Sequence, residues 1–122
     1  MTESLDGKSI LIVEDEVVSG MMLVREIARA GGSSIGPVTS VCGALQAIEF
    51  RLVDMVILDA KLVDGWGVRL ATCLEERRIP YVVVSGYDRE FLPKELTAAP
   101  FVAKPMSLLL LMDAIETAMA SR

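Results

Sequence analysis

The sequence predicts a single α/β domain whose five-stranded parallel sheet is covered by helices on both faces. Strand-like apolar runs alternate with helical segments along the 122 residues, and this alternation is typical of parallel sheets with right-handed crossovers. The strand runs are continuous in Val, Ile and Leu rather than interrupted by polar residues, which indicates strands buried on both faces.

Each predicted strand is a short apolar run bounded by turn residues. The five strands are predicted at Ser9–Val13, Ser34–Val38, Met55–Leu58, Tyr81–Ser85 and Phe101–Ala103. The second run contains Gly36-Pro37, and proline within a strand favours an edge position. We therefore expect the second strand at one edge of the sheet.

Four regular helices are predicted between and after the strands. They are expected at Val17–Ala30, Val41–Phe50, Val68–Arg77 and Leu108–Ala120. Ser40 and Ser107 are the expected N-caps of the second and last helices. A short or irregular helix is expected over Arg89–Leu96, because Pro93 and Pro100 leave little room for a regular one.

Composition excludes several classes of function. The net charge of −5, with 17 acidic against 12 basic residues, argues against nucleic-acid binding, which needs a basic face. No apolar stretch approaches the ~20 residues that span a membrane. The start of the chain lacks a signal peptide, so we expect a cytoplasmic protein.

The chain is expected to be one domain over residues 1–122, without an output domain and without a zinc site. It has no histidine and two cysteines, and Cys42 and Cys73 lack metal-ligand spacing. Both cysteines lie in predicted helices, and we expect small buried thiols there.

Chemically active residues follow four of the five strands. The first strand leads into Glu14-Asp15-Glu16, the third into Asp59, the fourth ends at Ser85 and the fifth leads into Lys104. The carboxyl ends of parallel strands meet at one edge of a sheet, where open α/β sheets bind ligands. We therefore expect these side chains to form one site.

The three carboxylates of Glu14, Asp15 and Asp59 suit a Mg²⁺ ion, or Mn²⁺ in its place. A metal that shields phosphate charge makes Asp59 a workable nucleophile, and carboxylates do form aspartyl phosphates. The Ser85 hydroxyl and the Lys104 ammonium are the expected phosphoryl ligands. Taken singly, each residue also suits an ordinary helix turn, strand end or solvated surface; together they favour the site.

Four segments that include these residues resemble the receiver domain of two-component response regulators. They are Leu11-Ile12-Val13-Glu14-Asp15-Glu16, Val56-Ile57-Leu58-Asp59, Val82-Val83-Val84-Ser85-Gly86-Tyr87 and Phe101-Val102-Ala103-Lys104-Pro105. The resemblance implies a flavodoxin-like three-layer sandwich with strand order 2-1-3-4-5. It also implies that a histidine kinase or histidine phosphotransfer protein phosphorylates Asp59.

The resemblance also implies roles for individual residues. The Mg²⁺ ligands would be Glu14, Asp15, Asp59 and the backbone carbonyl of Lys61. The phosphoryl ligands would be Ser85 and Lys104, and Phe101 would be the switch aromatic whose rotamer follows Ser85. The Lys104-Pro105 peptide bond matches one that is usually cis, a state available mainly before proline.

Part of the chain is similar to a receiver subgroup that carries a Phe-Ala-Thr-Gly-Tyr signature and often stands alone. Val83-Val84-Ser85 replaces the Phe-Ala-Thr of that signature. Lys61 lies two residues after Asp59, and with Tyr87 it is a candidate modulator of phosphorylation. Tyr87 either lines the site entrance or covers the loop, and Trp66 is expected to pack at the rim.

Exposed hydrophobic residues predict two contact surfaces. A core stripe of Val17, Met21, Val24 and Ala28 on the first helix would leave Val18 and Met22 outside, on the face that receivers present to their phosphodonor, with Pro105 nearby. In the last helix Leu108, Leu111, Met112, Ile115 and Met119 suit the core. Leu109 and Leu110 cannot both join them, which favours a homodimer or an output contact with a downstream protein.

We therefore predict a signalling switch rather than an enzyme. The alternative is a receiver-like module that binds proteins without phosphorylation, although such modules usually lose an acid or the lysine. An aspartyl phosphatase is disfavoured because Lys61 takes the place of its second aspartate. Flavin binding is disfavoured because no Gly/Ser/Thr-rich phosphate loop follows the first strand.

Overall fold

The predicted parallel sheet is present in the computed structural model of the chain, which describes residues 5–121. Its strands are β1 (Ser9–Val13), β2 (Ser33–Val38), β3 (Met55–Asp59), β6 (Tyr81–Ser85) and β7 (Phe101–Ala103), and the short strands β4 (Lys61–Leu62) and β5 (Gly65–Trp66) form a separate antiparallel hairpin. The sheet order is β2-β1-β3-β6-β7, and all neighbours are parallel. This is the predicted order 2-1-3-4-5 once the hairpin strands are left out of the count.

Four helices cover the sheet, at α1 (Val17–Arg29), α2 (Val41–Phe50), α3 (Val68–Arg77) and α4 (Leu108–Ala120). Their buried faces form two cores, one under α2 and α3 and the other under α1 and α4. The irregular segment before β7 consists of two single 3₁₀ turns, Arg89–Phe91 and Lys94–Leu96. Helices thus cover both faces, as the continuous apolar strands predicted.

Successive residues of β1 point to opposite faces of the sheet. Leu11 and Val13 face the core under α2 and α3. Ile10 and Ile12 face the core under α1 and α4. Because both sets are fully buried, the positions from Ile10 to Val13 must be apolar until the chain leaves the sheet at Glu14.

Two side chains cap the amino end of α2. The Ser40 hydroxyl accepts a hydrogen bond from the Gly43 amide at 2.9 Å, as predicted. The Asp64 carboxylate, from the hairpin loop, accepts hydrogen bonds from the amides of Val41 at 2.8 Å and Cys42 at 3.2 Å. The bond from Val41 is the main cause that lowers the pKa of Asp64. Asp64 thereby ties the loop after Asp59 to α2.

The predicted core stripe of α1 is wrong except at Val24, which is partly buried against the core under α1 and α4. Val17 and Met21 are 79% and 63% exposed, and Ala28 is exposed as well. The buried residues are Gly20, Leu23 and Ile27. The spacing of the larger side chains predicted a stripe that begins at Val17. The sequence alone does not show that α1 packs against the sheet at Gly20.

The predicted burial of the cysteines is also only partly right. Cys42 is exposed and Cys73 is half-buried. Cys42 follows the buried Val41 at the start of α2, so its side chain points away from the core. The prediction of small buried thiols is wrong for this position.

Gly20 permits the close approach of α1 to β2, and its replacement should destabilise the fold. A Cβ atom at Gly20 would lie 2.7 Å from Cγ and 3.2 Å from Cβ of Pro37. We expect Gly20→Ala to lower the free energy of unfolding by about 1–2 kcal/mol, because overpacking outweighs the better helix propensity of alanine. Gly86→Ala is the control, since a Cβ there meets nothing within 4 Å. Equal urea midpoints for the two variants would contradict this packing account.

Within residues 5–121, no helix is both long enough and apolar enough to cross a membrane.

Candidate functional site

Three carboxylates meet at the carboxyl edge of the sheet. Glu14 and Asp15 directly follow β1, and Asp59 is the last residue of β3. One carboxylate oxygen from each lies within 4.8 Å of the others. Glu14 and Asp59 are buried, and the Glu14 amide donates to the Val38 carbonyl at 2.9 Å. The sheet register therefore places the predicted acidic residues together.

The Lys104 ammonium reaches the same cluster from the end of β7. Its Nζ lies 3.1 Å from Oδ2 of Asp59 and 3.0 Å from Oε1 of Glu14. Its shortest contact is 2.6 Å, to Oε1 of Glu16. The Lys104 amide donates to the Ser85 carbonyl at 2.8 Å, and the Lys104-Pro105 peptide bond is cis. The Lys104 ammonium thus links the end of β7 to the ends of β1 and β3.

The electrostatics of the cluster show an excess of negative charge. Burial and the neighbouring Asp59 raise the pKa of Glu14 to about 7, against the lowering effect of Lys104. Burial would lower the pKa of Lys104, but its hydrogen bonds to Glu16, Glu14 and Asp59 outweigh burial and raise it. One ammonium therefore does not neutralise the carboxylates around it.

This donor set fits a hard divalent cation. Mg²⁺ binds oxygen ligands and is usually held by one or two carboxylates together with water. Glu14, Asp15 and Asp59 offer carboxylate oxygens at mutual distances that one ion can bridge.

Ser85 and Phe101, the two residues of the predicted switch, lie on the neighbouring strands β6 and β7. Ser85 is buried at the end of β6, and its hydroxyl accepts a hydrogen bond from the Tyr87 amide at 2.9 Å. Phe101 begins β7 opposite Val83 and is partly buried against the core under α2 and α3. Ser85 and Phe101 therefore stand on adjacent strands.

The rim of the site carries an aromatic pair beside Lys61. The rings of Trp66 and Tyr87 lie 5.3 Å apart at an interplanar angle of 59°. The Lys61 ammonium lies 5.5 Å from the centre of the Trp66 ring, and Lys61 and Trp66 are cross-strand partners in the hairpin. Trp66 thus packs at the rim, in contact with both predicted modulators.

The predicted docking residues are exposed. Val18 and Met22 lie on the outer face of α1, and Leu109 and Leu110 lie on the outer face of α4. Pro105 is exposed next to Lys104. A cavity of about 390 Å³ between α1 and the segment after Lys104 is lined by Met22 and Pro105, among others. Met22, Pro105 and Met106 thus place apolar side chains beside Glu16 and Lys104.

Sequence reasoning missed the roles of Glu16 and Asp64. Glu16 is the third residue of the acidic run, and the run was assigned only through its first two members. Asp64 carries no predicted role, and its bonds to the amides of Val41 and Cys42 cap a helix that lies earlier in the chain. Neither contact is visible in the sequence, because each partner lies more than 20 residues away along the chain.

The comparison with known families agrees with this geometry. The family model of the response regulator receiver domain matches residues 10–116. The chain belongs to this family. Receiver domains bind Mg²⁺ through acidic residues, and the acidic cluster here is Glu14, Asp15 and Asp59.

Individual relatives give the same assignment. The transcriptional regulatory protein PdtaR of Mycobacterium tuberculosis is 28% identical over 117 residues, which are 93% of this chain and 57% of PdtaR. The solution structure of SdrG from Sphingomonas melonis is 31% identical with a TM-score of 0.75, covering 99% of this chain and 98% of that one. A CheY-like receiver from Methylobacillus flagellatus is 26% identical with a TM-score of 0.77, covering 91% and 98%. The fold is therefore the flavodoxin-like fold of CheY-like receivers.

The chain spans little more than half the length of PdtaR. The activity and partners of the whole PdtaR protein therefore do not transfer to this receiver directly.

Proposed function

We propose that this receiver accepts a phosphoryl group on Asp59 from a phosphohistidine and passes the signal on through a change of its surface. The observation that carries the proposal is the cluster of Asp59 with two further carboxylates and the Lys104 ammonium at the end of the sheet. A buried carboxylate bonded to an ammonium and placed beside a cation-binding pair is suited to phosphoryl transfer.

In the proposed reaction, an Asp59 carboxylate oxygen forms a bond to phosphorus while the bond from phosphorus to the donor breaks. With phosphohistidine the imidazole nitrogen leaves with the bonding electron pair, and with acetyl phosphate the acetate oxygen does. Lys104 would bind a phosphoryl oxygen and stabilise the charge that develops there. The Ser85 hydroxyl would exchange its bond from the Tyr87 amide for a bond to the phosphoryl group.

The metal would be held by Glu14, Asp15, Asp59 and the backbone carbonyl of Lys61. When bound, Mg²⁺ would shield the negative charge of the incoming phosphoryl group. Glu14 and Asp15 would act by holding the cation, whose charge offsets the repulsion between Asp59 and the anionic donor.

Docking of the phosphodonor is proposed at the exposed face of α1. Met22 and Pro105 line a cavity together with Glu16 and Lys104, and Val18 is exposed on the same helix as Met22. The chemistry needs a donor helix that brings a phosphohistidine to Asp59. A histidine kinase or a histidine phosphotransfer protein has this chemistry. Leu109 and Leu110, exposed on α4, are proposed to contact a downstream protein or a second copy of the chain.

The switch is proposed to run from Ser85 to Phe101. Movement of the Ser85 hydroxyl toward the phosphoryl group would free space beside Phe101 on the neighbouring strand, and phosphorylation would shift the population between two arrangements. Lys61 and Tyr87 are proposed modulators, because both contact Trp66 at the rim. Among the solved structures, SdrG has a BeF₃-activated conformation, which supports a switch of this kind.

The prediction that the receiver acts without an attached output domain stays a prediction. PdtaR extends beyond the matched region, whereas the solved SdrG chain is covered to 98%. The mass of the native gene product decides between these arrangements.

Labelling with a small phosphodonor tests the proposed function. With acetyl phosphate and Mg²⁺, we expect the intact mass to increase by one phosphoryl group, and Asp59→Asn to abolish the increase. Asp64→Asn is the control, because it changes a nearby aspartate that caps α2 instead of entering the cluster. Labelling that persists in Asp59→Asn would refute the assignment, whatever the result for Asp64→Asn.

A further inference from the structure

The three hydrogen-bond donors of the Lys104 ammonium are all matched by carboxylates among the described residues. Its Nζ contacts Glu14 at 3.0 Å, Asp59 at 3.1 Å and Glu16 at 2.6 Å. If Lys104 is to bind a phosphoryl oxygen, as the proposed function requires, one of these carboxylates must give up its bond.

The three partners differ in how readily they return to water. The side chains of Glu14 and Asp59 are 2% and 8% exposed, whereas that of Glu16 is 61% exposed. Separating a buried ion pair leaves a charge without solvent, which costs far more than separating an exposed one. The Glu16 carboxylate is therefore the partner that can be released at the lowest cost.

The surroundings of Glu16 allow this exchange. Glu16 lies at the N-cap position of α1, but its side chain makes no capping hydrogen bond. In the first turn it accepts only a long hydrogen bond, at 3.5 Å, from the exposed Ser19 hydroxyl. The carboxylate borders the cavity of about 390 Å³ that Ser19, Met22 and Met106 help to line. It has space to swing toward solvent without disturbing the core.

We propose that Glu16 is a positioning residue that holds the Lys104 ammonium while Asp59 is unmodified. A phosphoryl oxygen on Asp59 then takes the place of the Glu16 carboxylate. The inference rests on the proposed function, and it adds a carboxylate that competes with the phosphoryl group for Lys104. The strength of the contact between Glu16 and Lys104 thereby sets the free energy needed to release the ammonium for a phosphoryl oxygen.

Removing this competitor should favour the phosphoryl-like state. Beryllofluoride, formed with Mg²⁺ present, is the probe because it binds an aspartate as a phosphoryl mimic without a covalent transfer step. We expect Glu16→Gln to tighten beryllofluoride binding about two- to fivefold, which is the size of effect typical of an exposed ion pair. Glu49→Gln is the matched control, because Glu49 also forms an exposed ion pair, with Arg77 at 2.8 Å.

A second measurement does not depend on phosphorylation. The rate at which N-acetoxysuccinimide acetylates Lys104, followed by peptide mass spectrometry, reports how firmly the ammonium is held. The exposed Lys8 and Lys94 serve as internal standards, since a general loosening of the fold would raise their rates too. We expect Glu16→Gln to raise the ratio of Lys104 to standard acetylation at least twofold, with no change in Glu49→Gln. Glu16→Asp, which keeps the charge but shortens the side chain, should give an intermediate ratio.

The outcomes separate the inference from the function on which it rests. A raised acetylation ratio together with tighter beryllofluoride binding supports the inference. An unchanged ratio overturns it, and so does a raised ratio with unchanged or weaker beryllofluoride binding. If the wild-type chain binds no beryllofluoride, the proposed function fails, and the acetylation ratio alone decides whether Glu16 holds Lys104.

Discussion

Replacing Lys104 by methionine should slow the phosphorylation of Asp59 by acetyl phosphate by about 10²–10³-fold, the usual loss when one preorganised donor to a developing charge is removed. The ammonium lies 3.1 Å from Asp59 and only 17% of the lysine side chain is exposed, so water cannot easily replace it. The measurement is the initial rate of mass increase under saturating Mg²⁺.

The control for this prediction is Lys94→Met, which removes an exposed lysine in a 3₁₀ turn away from the cluster. Circular dichroism should first establish that Lys104→Met is folded at the assay temperature, since the variant leaves Glu14 and Asp59 without their ammonium. A folded Lys104→Met protein that is labelled as fast as Lys94→Met would show that Lys104 does not stabilise the transferred group.

Removal of divalent metal should abolish labelling altogether. Without Mg²⁺, the carboxylates of Glu14, Asp15 and Asp59 repel an anionic donor, and the single Lys104 ammonium contacts more carboxylates than it can neutralise. Excess EDTA should therefore reduce labelling of the wild-type chain to the level of Asp59→Asn, and added Mg²⁺ or Mn²⁺ should restore it.

The same site predicts a metal-dependent stability. A ligand that binds only the folded state at 100 times its Kd raises the free energy of unfolding by about 2.7 kcal/mol, so Mg²⁺ should raise the thermal midpoint of the wild-type chain. Asp15→Asn should increase the Mg²⁺ concentration needed for half of this effect about tenfold or more, because it removes one of the carboxylate ligands. Asp113→Asn, on the exposed side of α4, is the control. Equal Mg²⁺ dependence of the two variants would remove Asp15 from the metal site.

The sequence predicted the sheet well because buried parallel strands have a strong signature. The continuous runs at β1, β3 and β6 are apolar on both faces, and each is followed at once by a polar residue. This pattern fixes both where a strand ends and which side chains meet at the sheet edge. The pattern therefore predicts that Asp59 and Lys104 meet, and they lie 3.1 Å apart in the structure.

The parts that the sequence missed depend on how separate elements approach each other. The core stripe of α1 follows Gly20 because the helix must pass close to Pro37, and no periodicity within α1 shows this contact. The β4–β5 hairpin has only two residues in each strand, too few for a strand pattern. The bond between Glu16 and Lys104 joins residues 88 positions apart, so the acidic run alone could not show which acid contacts the lysine.

The most direct test of the central claim is to locate the phosphoryl group in the wild-type chain. Borohydride reduces an aspartyl phosphate to homoserine, so the chain should be phosphorylated with acetyl phosphate and Mg²⁺, reduced, digested and mapped by tandem mass spectrometry. We predict homoserine at position 59 and at no other aspartate. Homoserine at another position, or phosphorylated chains that yield none at 59, would contradict the account.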